Sequence, residues 1–103
     1  MKSIEEIQRQ LQAGAFEFTR HAFKRSIERN IGEVEIKEAS LTMEIIEDYP
    51  DDKYSPSCLL LGFIQDCRAL HLQVSRRESD VIKIITLYEP DPAQWIDYKI
   101  RRT

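Results

Sequence analysis

Apolar and polar positions fall in blocks along this chain, and one block dominates. Residues 58–88 read CLLLGFIQDCRALHLQVSRRESDVIKIITLY. Three apolar runs are separated only by short polar breaks at 66–68 and 77–80. Runs of this length and composition, joined by turns this short, predict an antiparallel meander. Upstream, EIIEDY at 44–49 predicts a first strand, at the sheet edge. Residues 50–53 read as a turn, and 54–57 extend it into a loop around Pro56. The expected sheet therefore has four antiparallel strands.

The N-terminal third follows a helical period. Ser3 can cap a first helix, with Glu6 completing a Ser-x-x-Glu capping box and Gly14 ending it. Ile4, Ile7 and Leu11 give it one narrow apolar stripe. Phe16 and Phe18 alternate with Ala15 and Glu17, as in a short extended bridge. A second helix is expected over 19–30, with Ala22, Phe23, Ile27 and then Ile31 on its apolar side. A third should run from 33 to about 41. Beyond the meander, Asp91 can cap a short C-terminal helix that starts at Pro92 and carries Trp95. The fold class is α+β: N-terminal helices packed on a four-stranded antiparallel sheet, then a short helix, in a single domain over 1–103.

Composition narrows the function. The net charge of −3 excludes a uniformly basic nucleic-acid binder, and no DNA partner is expected. The charge is uneven, however. Residues 19–31 set Arg20, Lys24, Arg25 and Arg29 against Glu28, a local +3. Residues 33–52 carry eight acids against Lys37, a local −7. Such faces can select a polyanion on one side and a cation on the other, though most charges of this kind only solvate a surface. Cys58 and Cys67 are placed at the two ends of one strand, too far apart to pair, so both are expected as buried, reduced thiols. That suits a cytoplasmic protein. The charged start MKSIEEIQRQ has no apolar stretch of a signal peptide, and no run can span a membrane.

His71 is the residue an apolar strand would not choose. Leu70, Leu72 and Val74 point one way, while His71, Gln73 and Ser75 point the other. A turn pairing Arg76 with Val81 sets His71 opposite Thr86, with Tyr88 on the diagonal. A two-residue turn at Asp66-Cys67 leaves Gly62 beside His71, an open spot above the imidazole. His21 and Arg25, four apart on the second helix, share one face and could reach the same groove. Two imidazoles, a guanidinium and a phenol suit metal-independent RNA transesterification: proton transfer by histidine, phosphate stabilisation by arginine. Neither a metal nor a cofactor is suggested. Each residue also has a plain reading. A lone strand histidine serves structure about as often as chemistry, and His21 near a helix start is more often a surface or capping group. Arg25 can simply pair with Glu28, and Tyr88 can be a core aromatic.

These residues also carry a resemblance. Phe18-Thr19-Arg20-His21-Ala22 with Arg25, Arg29 and Ile31 resembles the opening motif of the domain of unknown function family 4258. Residues 44–52, Leu70-His71-Leu72, and 84–92 with Trp95 resemble its strands. At the hairpin turn where that family often has glycine, this chain has Asp66-Cys67-Arg68. The resemblance implies the RelE-like RNase toxin fold, shared with MqsR-like proteins. It also implies a toxin of a toxin–antitoxin pair, neutralised by a small zinc-finger antitoxin of the YgiT type, with RNA or the ribosome as target. The family pattern marks His21, Arg25, His71 and Tyr88 as catalytic, and Arg20, Lys24 and Arg29 accompany them as RNA-binding cations. The competing expectation is a non-catalytic module that binds protein or RNA.

Overall fold

The structure is a computed structural model that describes residues 1–53 and 55–103. Tyr54, which opens the loop expected at 54–57, lies outside the described residues. Helices α1 (Ile4–Gln12), α2 (Arg20–Arg29) and α3 (Glu33–Ser40) precede most of the sheet. The strands are β1 (Phe16–Phe18), β2 (Glu44–Tyr49), β3 (Ser57–Ile64), β4 (Arg68–Ser75) and β5 (Ile82–Tyr88), followed by a small hairpin of β6 (Trp95–Ile96) and β7 (Ile100–Arg101).

The helix ends are set by capping residues at or near the expected boundaries. Ser3 accepts from the Glu6 amide, and Thr19 accepts from that of Ala22. Asn30 turns left-handed (φ 54°) to stop α2, and Gly14 (φ 76°) stands just past α1. The helices cover one sheet face. Ile7, Leu11, Ala22, Ile31, Ile36 and Ala39 pack there on Cys58, Leu60, Leu70, Leu72, Ile82, Ile84 and Leu87.

The sheet has five strands and is mixed, in the order β1-β5-β4-β3-β2. The four-stranded antiparallel expectation is corrected by β1, which pairs parallel with β5, Phe16 opposite Ile82 and Phe18 opposite Ile84. Three residues carry too little pattern to separate a strand from a bridge; the free edge of β5 decides. The C-terminal helix is also corrected. Asp91 does cap a turn, through the Ala93 and Gln94 amides, but the chain then doubles back into the β6–β7 hairpin. A helix this short is marginal, whereas the hairpin buries Trp95 and reverses through Asp97 and Tyr98, both at positive φ.

Both expected registers slip. Gln65–Cys67 make a three-residue turn, with Asp66 and Cys67 left-handed (φ 66° and 59°). Leu61 therefore faces His71, and Gly62 faces Leu70 on the helix side. A one-residue slip exchanges the two faces of a strand. Between β4 and β5 a bulge near Gln73 and Val74 sets Tyr88 directly opposite His71 and Thr86 opposite Gln73. Gly62 is not a bare spot above His71. It lets α3 approach: a Cβ there would stand 2.3 Å from the Ala39 carbonyl oxygen.

The cysteines also part company. Cys58 is buried in β3, with its thiol pKa pushed up to about 12 by desolvation, while Cys67 is exposed in the turn. Among the described residues no helix is long and apolar enough to cross a membrane.

Two outcomes are expected in urea unfolding. Gly62→Ala should lower stability by about 2 kcal/mol or more, because its methyl meets a backbone carbonyl. Cys67→Gly should raise it by about 0.5–1 kcal/mol, by removing the cost of a left-handed side-chain-bearing residue. Equal stability of Gly62→Ala and the parent would remove the account of the α3–β3 approach.

Candidate functional site

The sheet face away from the helices is where the polar residues gather. His71, Leu61 and Leu59 share it, and so do Glu47 and Tyr88 by register. The β6–β7 hairpin covers one end. The Trp95 ring meets His71 edge-on at 4.6 Å between centroids, and Tyr98 meets Phe63 at 6.2 Å. His71 is 0% exposed beneath this cover.

Both imidazole nitrogens are engaged. Nε2 lies 2.7 Å from the Tyr98 carbonyl oxygen, and Nδ1 lies 3.2 Å from the Tyr88 hydroxyl. A carbonyl can only accept, so Nε2 carries a proton. Burial holds the pKa of His71 below its ordinary 6.5, outweighing the Tyr98 bond and the nearby Glu47 charge. The ring is therefore neutral at pH 7, and Nδ1 accepts the Tyr88 O–H. Burial likewise raises the pKa of Tyr88, which keeps its phenol protonated.

Charged pairs hold the cover in place. Arg101 donates to Glu47 at 2.9 Å, and its guanidinium lies 4.6 Å from the Trp95 ring centre. The Tyr49 hydroxyl also donates to Glu47. Burial alone would raise the Glu47 pKa, but the bonds from Arg101 and Tyr49 prevail and hold it low. Lys99 pairs with Glu44 at 3.0 Å.

Beside Tyr88 the surface opens into a cavity of about 370 Å³, lined by Arg29, Tyr88, Glu89, Asp91, Gln94 and Trp95. Arg29 donates one N–H to the Leu87 carbonyl at 2.7 Å, which fixes it at the cavity wall with donors to spare. A larger cleft of about 860 Å³ occupies the other half of this face, around Ser55, Gln73, Ser75 and Lys83. Among the described residues no three His, Cys, Asp or Glu side chains gather where they could hold a metal ion.

The seven residues singled out in the sequence are thus divided. His71, Tyr88 and Arg29 come together. His21, exposed on α2, makes no hydrogen bond or ion pair with the His71 cluster. Arg25 pairs with Glu28 at 2.6 Å. His21, Arg25 and Arg29 do share one stripe of α2 at four-residue steps, about 6 Å of rise each, running toward the cavity. Arg20 and Lys24 are exposed on the outer side of the helix. Thr86, expected opposite His71, faces Gln73 instead. Glu47, Tyr49, Tyr98 and Arg101 join the site without having been among those seven. Their signal in the sequence is slight: the basic residues Lys99, Arg101 and Arg102 a few positions past Trp95. Trp95 was expected to dock a helix; it docks a hairpin.

The fold and this centre define a small α+β protein whose open sheet face is closed by a C-terminal hairpin over a buried Tyr–His pair. The chain belongs to the family described as Domain of unknown function (DUF4258), whose profile matches residues 18–89. That span includes Arg29, His71 and Tyr88 but stops short of the hairpin with Trp95, Tyr98 and Arg101. No curated protein and no solved structure matches the chain.

The pH dependence follows from His71. Its folded pKa lies below 6.5, so in acid the unfolded chain takes up the proton first. Stability from this group is whole above pH 6.5 and is lost as pH falls through the lowered folded pKa. Melts between pH 8 and pH 5 should show that decline, and His71→Gln should flatten it. An equal slope in both proteins would mean that other groups carry the dependence.

Proposed function

We propose that this chain is an endoribonuclease of the toxin–antitoxin kind, cleaving RNA without a metal at the cavity shared by Arg29 and Tyr88. One observation carries the reading: Tyr88, whose side chain lines that cavity, donates its hydroxyl to a neutral His71 whose other nitrogen is already fixed. The oxygen of Tyr88 is then free to accept. A 2′-hydroxyl passes its proton to Tyr88 as Tyr88 passes its own to His71 Nδ1. The 2′-oxygen forms its bond to phosphorus, the bond to the 5′-oxygen breaks, and that oxygen leaves with a proton from solvent. The resulting imidazolium is stabilised by the Tyr98 carbonyl and by Glu47. Arg29 balances the charge on the crowded phosphate, and Arg25 and His21 extend the binding stripe along α2. Kinship with RelE-like and MqsR-like toxins, a YgiT-type zinc-finger antitoxin and a cytoplasmic site of action belong to this proposal.

A second reading has its own support. His71 is wholly buried, with both nitrogens bonded, as a bracket between sheet and hairpin would be. The chain is then a non-catalytic binding module, and His71→Ala lowers stability by about 1–3 kcal/mol, the cost of unsatisfied buried partners.

The two readings separate on RNA cleavage by the purified protein, with and without ribosomes, alongside growth on induction. Wild type should cut RNA and slow growth, with Tyr88→Phe reducing cleavage by about 10²–10⁴-fold. Arg29→Ala should weaken cleavage as well. Intact RNA and normal growth with the wild type would sink the ribonuclease reading.

A further inference from the structure

The expected apolar side of α2 does not all reach the core. Ala22 is 0% exposed, but Phe23 is 56% and Ile27 is 65% exposed. Four residues apart, they project from the same outer face. Phe23 lies 6.4 Å from the Phe18 ring, which lies 5.9 Å from that of Phe16. The strip therefore runs from the edge strand β1 onto α2. At 100° per residue, Arg20 and Lys24 flank it on the solvent side, and Arg25 and Arg29 lie across the helix toward the cavity. Among the described residues, neither Arg20 nor Lys24 has an ion-pair partner.

We propose that this strip is a docking surface for an acidic amphipathic segment of a partner protein. Charge decides the occupant. The partner must supply apolar side chains at helical spacing to cover Phe23 and Ile27, and carboxylates to meet Arg20 and Lys24. A second copy packed face to face would set like charges together. The acidic stretch of this chain is a poor substitute, because four of its eight acids already hold cations of the chain. Glu44 pairs with Lys99, Glu47 with Arg101 and Asp48 with Arg76, while Glu33 pairs with Lys37. Single-stranded RNA would satisfy the cations and could stack on Phe23, but it leaves the aliphatic Ile27 uncovered. The surface lies on the opposite side of α2 from the cavity, and the inference holds whether or not the chain cuts RNA.

Fluorescence anisotropy with the full chain tests it. The probe is a synthetic acidic helix with leucines three and four residues apart, beside a scrambled peptide of the same composition and a single-stranded RNA oligonucleotide. The acidic helix should bind at least about tenfold more tightly than the scramble. Phe23→Ser/Ile27→Ser and Arg20→Glu/Lys24→Glu should each remove that preference. Both pairs are exposed, so thermal melts should match the parent. Equal binding of helix and scramble overturns the proposal. So does RNA binding that depends on Phe23 and Ile27, which would make the strip an RNA surface. Self-association abolished by Phe23→Ser/Ile27→Ser would overturn it too, by making the strip a contact between copies.

Discussion

A neutral imidazole held at both ends is the constraint on which the open face of this protein depends. His71 sits within an apolar layer of Leu59, Leu61 and Ala69, where an unbonded ring nitrogen would cost about 1–3 kcal/mol. The sheet supplies Tyr88 to one nitrogen, and the C-terminal hairpin supplies the Tyr98 carbonyl to the other. The hairpin thus does more than cover apolar surface. It fixes the tautomer, and the tautomer fixes the direction of the Tyr88 hydroxyl. Trp95 and the Arg101–Glu47 pair hold the cover down. The ion pair is largely exposed on its arginine side, so packing of the indole contributes more than the charge does.

Charge is arranged so that the two faces of α2 differ. The three acids of β2 are matched by cations from the hairpin and by Arg76, one residue past β4. The cations of α2 are not matched in the same way. Arg29 is anchored to a backbone carbonyl beside Tyr88, and Arg25 leans on Glu28. Arg20 and Lys24 border exposed apolar side chains instead. A net charge of −3 therefore hides a surface with one well-defined cationic element.

Much of the fold was legible. Ser3, Thr19 and Asn30 marked helix ends because capping is local chemistry. The three runs of the meander, and the division of β4 into Leu70, Leu72 and Val74 against His71 and Gln73, followed from a period of two. The site was legible only in part. His71 and Tyr88 stood out as polar groups in apolar runs, and they do meet. His21 and Arg25 had the right spacing on their helix, but spacing does not fix the rotation of a helix over a sheet.

By itself, then, the sequence determined what depends on neighbours along the chain: helix ends, strand runs, the alternation of faces and the oddity of His71. The tertiary structure decided what depends on distant segments. A three-residue turn with two left-handed residues sent Gly62 under α3, and a bulge brought Tyr88 opposite His71. The free edge of β5 recruited β1, and an uncovered sheet face drew Trp95 and Tyr98 back across His71. Those outcomes turn on register and on burial of surface made elsewhere in the chain, and neither is written in local pattern.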